Sequence, residues 1–137
     1  MPDPEHSSAR HVFVYGTLRA GGSNDIRRFR PLPRWVGQGA IAGTLYDLGA
    51  YPGITLGGEG RVLGEIYSVC AEVEAALDRL EEVREDDSGE YRRRMVRVPV
   101  PGIGEVDCLV YEIHPNRVRT APVIPEGDWL KHLPLRG

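Results

Sequence analysis

The stretch Val12-Phe13-Val14-Tyr15-Gly16-Thr17-Leu18-Arg19 decides how this chain is read. Its β-branched and aromatic start predicts a buried strand over about His11 to Tyr15. The strand stops abruptly at Gly16, and a Gly21-Gly22 pair follows. A core strand that ends in a glycine-opened loop exposes backbone N–H groups at its tip. Such groups can bind an anionic or carbonyl oxygen without any side chain. The segment is therefore expected to floor a small-molecule site, with the rest of the chain supplying the chemistry.

Outward from this strand, glycine and proline punctuate the whole sequence, at 17 and 11 of 137 residues. That spacing predicts many short strands joined by turns. Ser23 to Phe29 reads as a short helix capped by Ser23 or Asn24. Trp35 to Leu48 reads as one strand, or as two broken near Gly37 to Gly39, with Tyr51-Pro52-Gly53 as a turn. Gly57-Gly58-Glu59-Gly60 reads as a flexible turn. Arg61 to Cys70 alternates as a strand, with Glu65 on the otherwise apolar face of Leu63, Tyr67 and Val69. Ala71 to Glu82 is the clearest helix, since Val73, Ala76, Leu77 and Leu80 make one apolar stripe. Tyr91 to Val100 and Glu105 to Ile113 form a hairpin across Pro101-Gly102-Ile103-Gly104. The segment from Asn116 onward is proline-rich and reads as irregular. Residues 1–10 read as a disordered tail, and 11–137 as a single domain. The expected fold is α+β, a small mixed β-barrel flanked by helices, because closing a curved sheet removes exposed edges.

Charge and composition narrow the function. The formal net charge is −3, from 17 basic and 20 acidic residues, which gives no reason to expect nucleic acid as a partner. Arg92-Arg93-Arg94 is the local exception, but alternate residues of a strand face opposite sides. No apolar run reaches the roughly 20 residues that span a bilayer, so no membrane association is expected. Cys70 and Cys108 sit outside any CxxC, in strand-like surroundings, and read as buried free thiols. With no export signal in view, the expected location is cytoplasmic. No His/Cys cluster has metal-ligand spacing, and no G-x-S-x-G, G-x-G-x-x-G or Walker loop is present.

What remains is carboxylate chemistry beside a backbone pocket. Glu81 and Glu82 close the predicted helix. Glu81 lies four residues beyond Leu77 and borders the apolar stripe, whereas Glu82 turns further away. A carboxylate bordering a core is partly desolvated, which raises its pKa toward a range useful for proton transfer. Tyr15, at the strand end, reads either as a core aromatic with its hydroxyl at the rim or as part of the pocket.

Several blocks together resemble the gamma-glutamylcyclotransferase-like superfamily, and short bacterial gamma-glutamylamine cyclotransferases in particular. They are Val14-Tyr15-Gly16-Thr17-Leu18-Arg19, Gly43 to Gly49 with Tyr51-Pro52-Gly53, Val62 to Tyr67, Leu77-Asp78-Arg79-Leu80-Glu81 with Tyr91-Arg92-Arg93, and Pro125-Glu126-Gly127-Asp128-Trp129. They occur in order over about Val12 to Trp129. The resemblance implies an enzyme that turns a γ-glutamyl amine or γ-glutamyl peptide into 5-oxoproline and a free amine, without metal or cofactor. It implies Glu81 as the catalytic general base and acid, and Tyr15, Gly16, Thr17, Leu18 and Tyr91 as substrate-binding residues. A non-catalytic small-molecule binding protein using the same pocket is the alternative. The sequence leaves the leaving amine, the oligomeric state and the role of Arg19 open.

Overall fold

The computed structural model describes residues 10–81 and 89–135. Five strands form one sheet: β1 (Arg10–Val14), β2 (Arg34–Asp47), β3 (Pro52–Val69), β4 (Tyr91–Val100) and β5 (Gly104–Ile113). Helix α1 (Ala71–Leu80) joins β3 to the segment before β4, and α2 (Trp129–Leu135) closes the described chain. Short 3-10 turns occupy Ile26–Arg28 and Pro115–Arg117.

The sheet order is β2-β3-β1-β5-β4, with β1 parallel to β5 and the other neighbours in that order antiparallel. Strand β3 is long enough to serve two partners. Its second half pairs with β1 from Val69 to Glu65, and its first half reaches past the short β1 to pair Ile54 with Glu112 of β5. This double pairing curls the sheet.

The curl is left open, since no ladder joins edge strands β2 and β4 among the described residues. They meet through side chains instead. A Cβ on Gly37 would lie 2.7 Å from Val100, and one on Gly39 would lie 2.8 Å from Val98. The two glycines thus let valine methyls fill the seam.

The sequence alternation becomes two apolar layers. Phe13, Tyr15, Ile41, Leu45, Ile54, Val62, Ile66, Val98, Cys108 and Val110 pack inside the curl, capped by Ile124 and Trp129. Val12, Val14, Tyr67, Val69, Leu109, Tyr111 and Ile113 form the other layer, under Val73 and Leu77 of α1. Glu72 and Glu74 lie in the first turn of α1, where the helix dipole favours negative charge. Arg93 reaches from β4 to Glu74 and Asp78 of α1, while Arg92 and Arg94 pair with Glu112. All three arginines of the basic run are therefore engaged by carboxylates within the fold.

Several local expectations are corrected. The predicted helix over Ser23 to Phe29 shrinks to a 3-10 turn capped by Asp25, whose carboxylate accepts from the Arg27 N–H. Arg27 also holds that carboxyl well below its usual range, through its side-chain hydrogen bond first. Pro52 and Gly53 open β3 instead of forming a turn, with the reversal at residues 48–51. Residues Gly57 to Gly60 lie within β3 but outside its register, because Gly43 faces Leu56 while Ala42 faces Arg61. The C-terminal stretch contains α2, and its Pro122 and Ile124 bond to Asp47 and Leu45 of β2. Its helix escaped the sequence reading because Pro134 sits within seven residues. Arg10, the last residue of the expected tail, opens β1, while residues 1–9 of that tail, Glu82 and most of the acidic loop lie outside the described residues.

Gly64 tests the register of the sheet. A Cβ there would sit 2.5 Å from the Val14 carbonyl oxygen and 2.5 Å from the Phe13 ring. Gly64→Ala is expected to lower stability by about 1–3 kcal/mol, the usual cost of overpacking, read as a reduced urea midpoint at unchanged m-value.

Candidate active site

Where β1 ends, the chain turns out of the sheet. Gly16 is needed at that corner, since a Cβ would lie 2.6 Å from Pro52 at the start of β3. The loop then folds on itself. Arg19, Asn24 and Ile26 donate their N–H groups to the carbonyls of Gly16, Thr17 and Leu18, at 2.9–3.0 Å. Those carbonyls are thereby tied inward. The N–H groups of Thr17 and Leu18 meet no acceptor among the described residues.

A cavity of about 160 Å³ opens beside this loop. All six residues expected at the site line it: Tyr15, Gly16, Thr17, Leu18, Glu81 and Tyr91. Tyr51, Pro52, Asn24, Leu80, Glu90 and Tyr111 also line it and were not singled out as site residues in the sequence. Tyr51 and Pro52 were legible as a turn and as part of a resembling block, and Glu90 as the end of an acidic loop, none of them as a site residue. No lysine, arginine or histidine is among the described lining residues.

Glu81 is placed by the end of α1. It is the C-cap, and its N–H still bonds to the Leu77 carbonyl. The last helical turn thus carries the side chain onto the side where Leu77 is buried, while Leu80, 43% exposed, stands at the cavity wall. The Glu81 carboxyl has no hydrogen-bond partner among the described residues. Burial penalises its charged form and pushes its pKa up to about 8, with repulsion from Glu90 adding to the effect.

The tyrosine hydroxyls are already committed as donors. Tyr15 donates to the Tyr111 carbonyl at 2.6 Å and accepts from the Ile54 N–H at 3.3 Å. Tyr91 donates to the Pro52 carbonyl at 2.7 Å. Burial keeps both hydroxyls protonated far above their usual range, and the Glu81 charge reinforces this. With their protons used, both can only accept from a ligand. The cavity therefore has a donor wall at Thr17 and Leu18, and an acceptor wall at Glu81 and the two tyrosine oxygens, with the second carboxylate, Glu90, also lining it. A zwitterionic amino-acid head matches that polarity. Among the described residues no group of three His, Cys, Asp or Glu side chains could hold a metal ion.

Arg19 turns away from the cavity. Its Nε bonds to Glu65 at 3.0 Å and its Nη1 to Asp128 at 2.8 Å. Glu65 also accepts from the Ala20 N–H and the Tyr67 hydroxyl. The misfit glutamate on the apolar face of β3 is thus the anchor of the cavity loop. Asp128 accepts in addition from the Lys131 N–H at the start of α2.

The sequence and the fold are shared with known proteins. A family model described as gamma-glutamyl cyclotransferase, AIG2-like, matches residues 12–131. A Vibrio cholerae protein provisionally named a gamma-glutamylcyclotransferase is 37% identical over 131 residues, covering 89% of this chain and 96% of that one. The gamma-glutamylaminecyclotransferase of Bos taurus is 33% identical over 136 residues, covering 90% and 71%. The crystal structure of an AIG2-like protein from Mus musculus superposes with a TM-score of 0.69 at 30% identity, over 85% of this chain and 86% of that one.

Arg19 provides a test of the loop's anchor. Arg19→Met leaves Glu65 and Asp128 buried without their cation, and is expected to cost about 3–5 kcal/mol of stability in urea unfolding.

Proposed function

This chain belongs to the gamma-glutamyl cyclotransferase, AIG2-like family, and we propose that it converts a γ-glutamyl amine or γ-glutamyl peptide into 5-oxoproline and a free amine, with Glu81 as the catalytic base and acid. The observation that carries this reading is the half-buried Glu81 carboxyl, which lines the same cavity as the Thr17 and Leu18 N–H groups, all three without a hydrogen-bond partner among the described residues.

The reaction follows from that polarity. The substrate's α-carboxylate, or the oxyanion developing on its γ-carbonyl, lies against the Thr17 and Leu18 N–H groups. Its α-ammonium lies against Glu81 and the oxygens of Tyr15 and Tyr91. Glu81, ionised, takes a proton from the ammonium, and the freed amine attacks the γ-carbonyl carbon. A new C–N bond closes the five-membered ring. Glu81 then passes its proton to the leaving nitrogen as the old C–N bond breaks, and the extra proton left on the ring nitrogen after attack ends on the released amine, which departs as its ammonium beside a neutral lactam. Because nucleophile and electrophile belong to one molecule, folding the substrate supplies the proximity that a two-substrate reaction must gain by binding.

The raised pKa fits both halves of this cycle. A carboxyl near 8 is a better base than an exposed glutamate and gives its proton up readily afterward. Its cost is that only a minority is ionised at neutral pH in the empty protein. The incoming ammonium offsets this, since an adjacent positive charge favours the carboxylate.

Mass-spectrometric detection of 5-oxoproline from a panel of γ-glutamyl amines and peptides tests the reading. The wild type is expected to form it, and Glu81→Gln to lose about 10²-fold or more of the rate while staying folded. Loss in Glu82→Gln instead would move the role to the neighbour, and no product from any substrate would leave a binding protein. The pH profile gives a second check. The base form is the ionised one, so kcat/KM is expected to rise with pH and level off above a midpoint near 8. The midpoint in kcat is expected lower, because the bound ammonium stabilises the carboxylate. A profile flat from pH 6 to 9 would contradict Glu81 as base.

A further inference from the structure

We propose that the amine released from this cavity carries a second positive charge, and that Glu90 is the residue that selects it. The proposal rests on the cyclotransferase reading above and names its substrate class more narrowly.

The argument starts from the cavity's charged groups. Two carboxylates line it, Glu81 and Glu90, and no cationic side chain is among the described lining residues. One substrate ammonium, the α-amine of the glutamyl unit, is matched to Glu81. The substrate's one anionic group on that side, the α-carboxylate, is matched to the Thr17 and Leu18 N–H groups. Glu90 is then left facing whatever extends beyond the scissile bond.

The surroundings of Glu90 suit an alkyl chain ending in an ammonium. Tyr51 donates its hydroxyl to the Glu90 carboxylate at 2.7 Å, fixing the carboxylate's position. The rings of Tyr51 and Tyr91 stand 6.4 Å apart, tilted, and Leu80 supplies apolar surface in the same cavity. A carboxylate on the leaving amine would meet Glu90 and, once the substrate ammonium has given up its proton, no cation among the described lining residues. Like charges so placed reject a ligand as effectively as opposite charges attract one.

Among the described residues, the arginines paired with Glu90 and with the carboxylates of β5 and α1 do not reverse the sign. Arg117 approaches Glu90 only to 3.9 Å, and its side chain is 54% exposed. Such a loose exposed pair contributes little. Arg93 is held by Glu74 and Asp78, and Arg92 and Arg94 by Glu112.

Three γ-glutamyl conjugates of near-equal length test the assignment: those of 1,4-diaminobutane, butylamine and 4-aminobutyrate. They present an ammonium, a methyl and a carboxylate at distances that differ by no more than about one bond. The wild type is expected to favour the first over the second by about tenfold or more in kcat/KM, and the second over the third. In Glu90→Gln the ratio between the first two is expected to fall to within about twofold, and high salt is expected to shrink it in the wild type. Arg117→Gln is expected to widen it. Equal rates for the diamine and butylamine conjugates in the wild type, a preference for the carboxylate, or an unchanged ratio in Glu90→Gln would overturn the assignment.

Binding of the same conjugates to Glu81→Gln, by calorimetry, separates the two readings because it needs no turnover. If the wild type forms no 5-oxoproline from any conjugate, the cyclotransferase reading falls, and the charge order in binding still decides whether Glu90 selects a cation. If 5-oxoproline forms and binding shows no charge order, the reaction stands and the Glu90 assignment falls.

Discussion

The buried guanidinium of Arg19 is the constraint on which the site depends. A single planar cation joins three parts of the chain: the loop after β1, the middle of β3 through Glu65, and the segment before α2 through Asp128. Two carboxylates and one cation out of water are costly unless each is matched in geometry and hydrogen bonding. Here the matching is nearly complete, since Glu65 also holds the Ala20 N–H and the Tyr67 hydroxyl. The result is a loop that can offer backbone N–H groups to a ligand without collapsing onto them. Buried polar networks of this kind do more for uniqueness of structure than for net stability.

The same logic of local cost for global use applies to Glu81. A half-buried carboxyl with no hydrogen-bond partner among the described residues is unfavourable in the empty protein. It persists because the Leu77 contact and the helix end fix where the chain must go. The layers above and below the sheet are well filled, so α1 cannot rotate to release it without exposing Val73 and Leu77. Stability of the apolar layer thus holds a strained electrostatic arrangement at the cavity. The Tyr15 and Tyr91 hydroxyls are also fixed by the fold, each donating to a backbone carbonyl, so the acceptor wall is set before any ligand arrives.

Long strand β3 links these two features. One half builds the floor beside β1 and carries Glu65; the other half begins at Pro52, whose carbonyl holds Tyr91 and whose ring crowds Gly16. The out-of-register residues 57–60 let one strand turn between the two tasks. An inserted or deleted residue in that bulge would leave both halves paired with β2 but would misalign the two walls of the cavity.

The sequence by itself determined the mixed α+β class, the strand–glycine corner at Tyr15-Gly16 and a helix over Ala71 to Glu82 whose end Glu81 borders the apolar stripe. These were legible because each is written in local pattern: alternation on strands, the apolar stripe of α1, and glycine where a corner must be sharp. The family resemblance then attached chemistry to that pattern, and the assignment of Tyr91 to the cavity came from it. Only the tertiary structure decided the rest. That Glu90, Tyr51 and Asn24 line the cavity, that Arg19 faces inward to Glu65 and Asp128, and that the sheet curls without closing depend on contacts between distant segments. No local period encodes such contacts. Glu65 shows the boundary most plainly: the alternation of β3 marked it as a charge on an apolar face, but its partner Arg19 lies 46 residues away and only folding brings the two together.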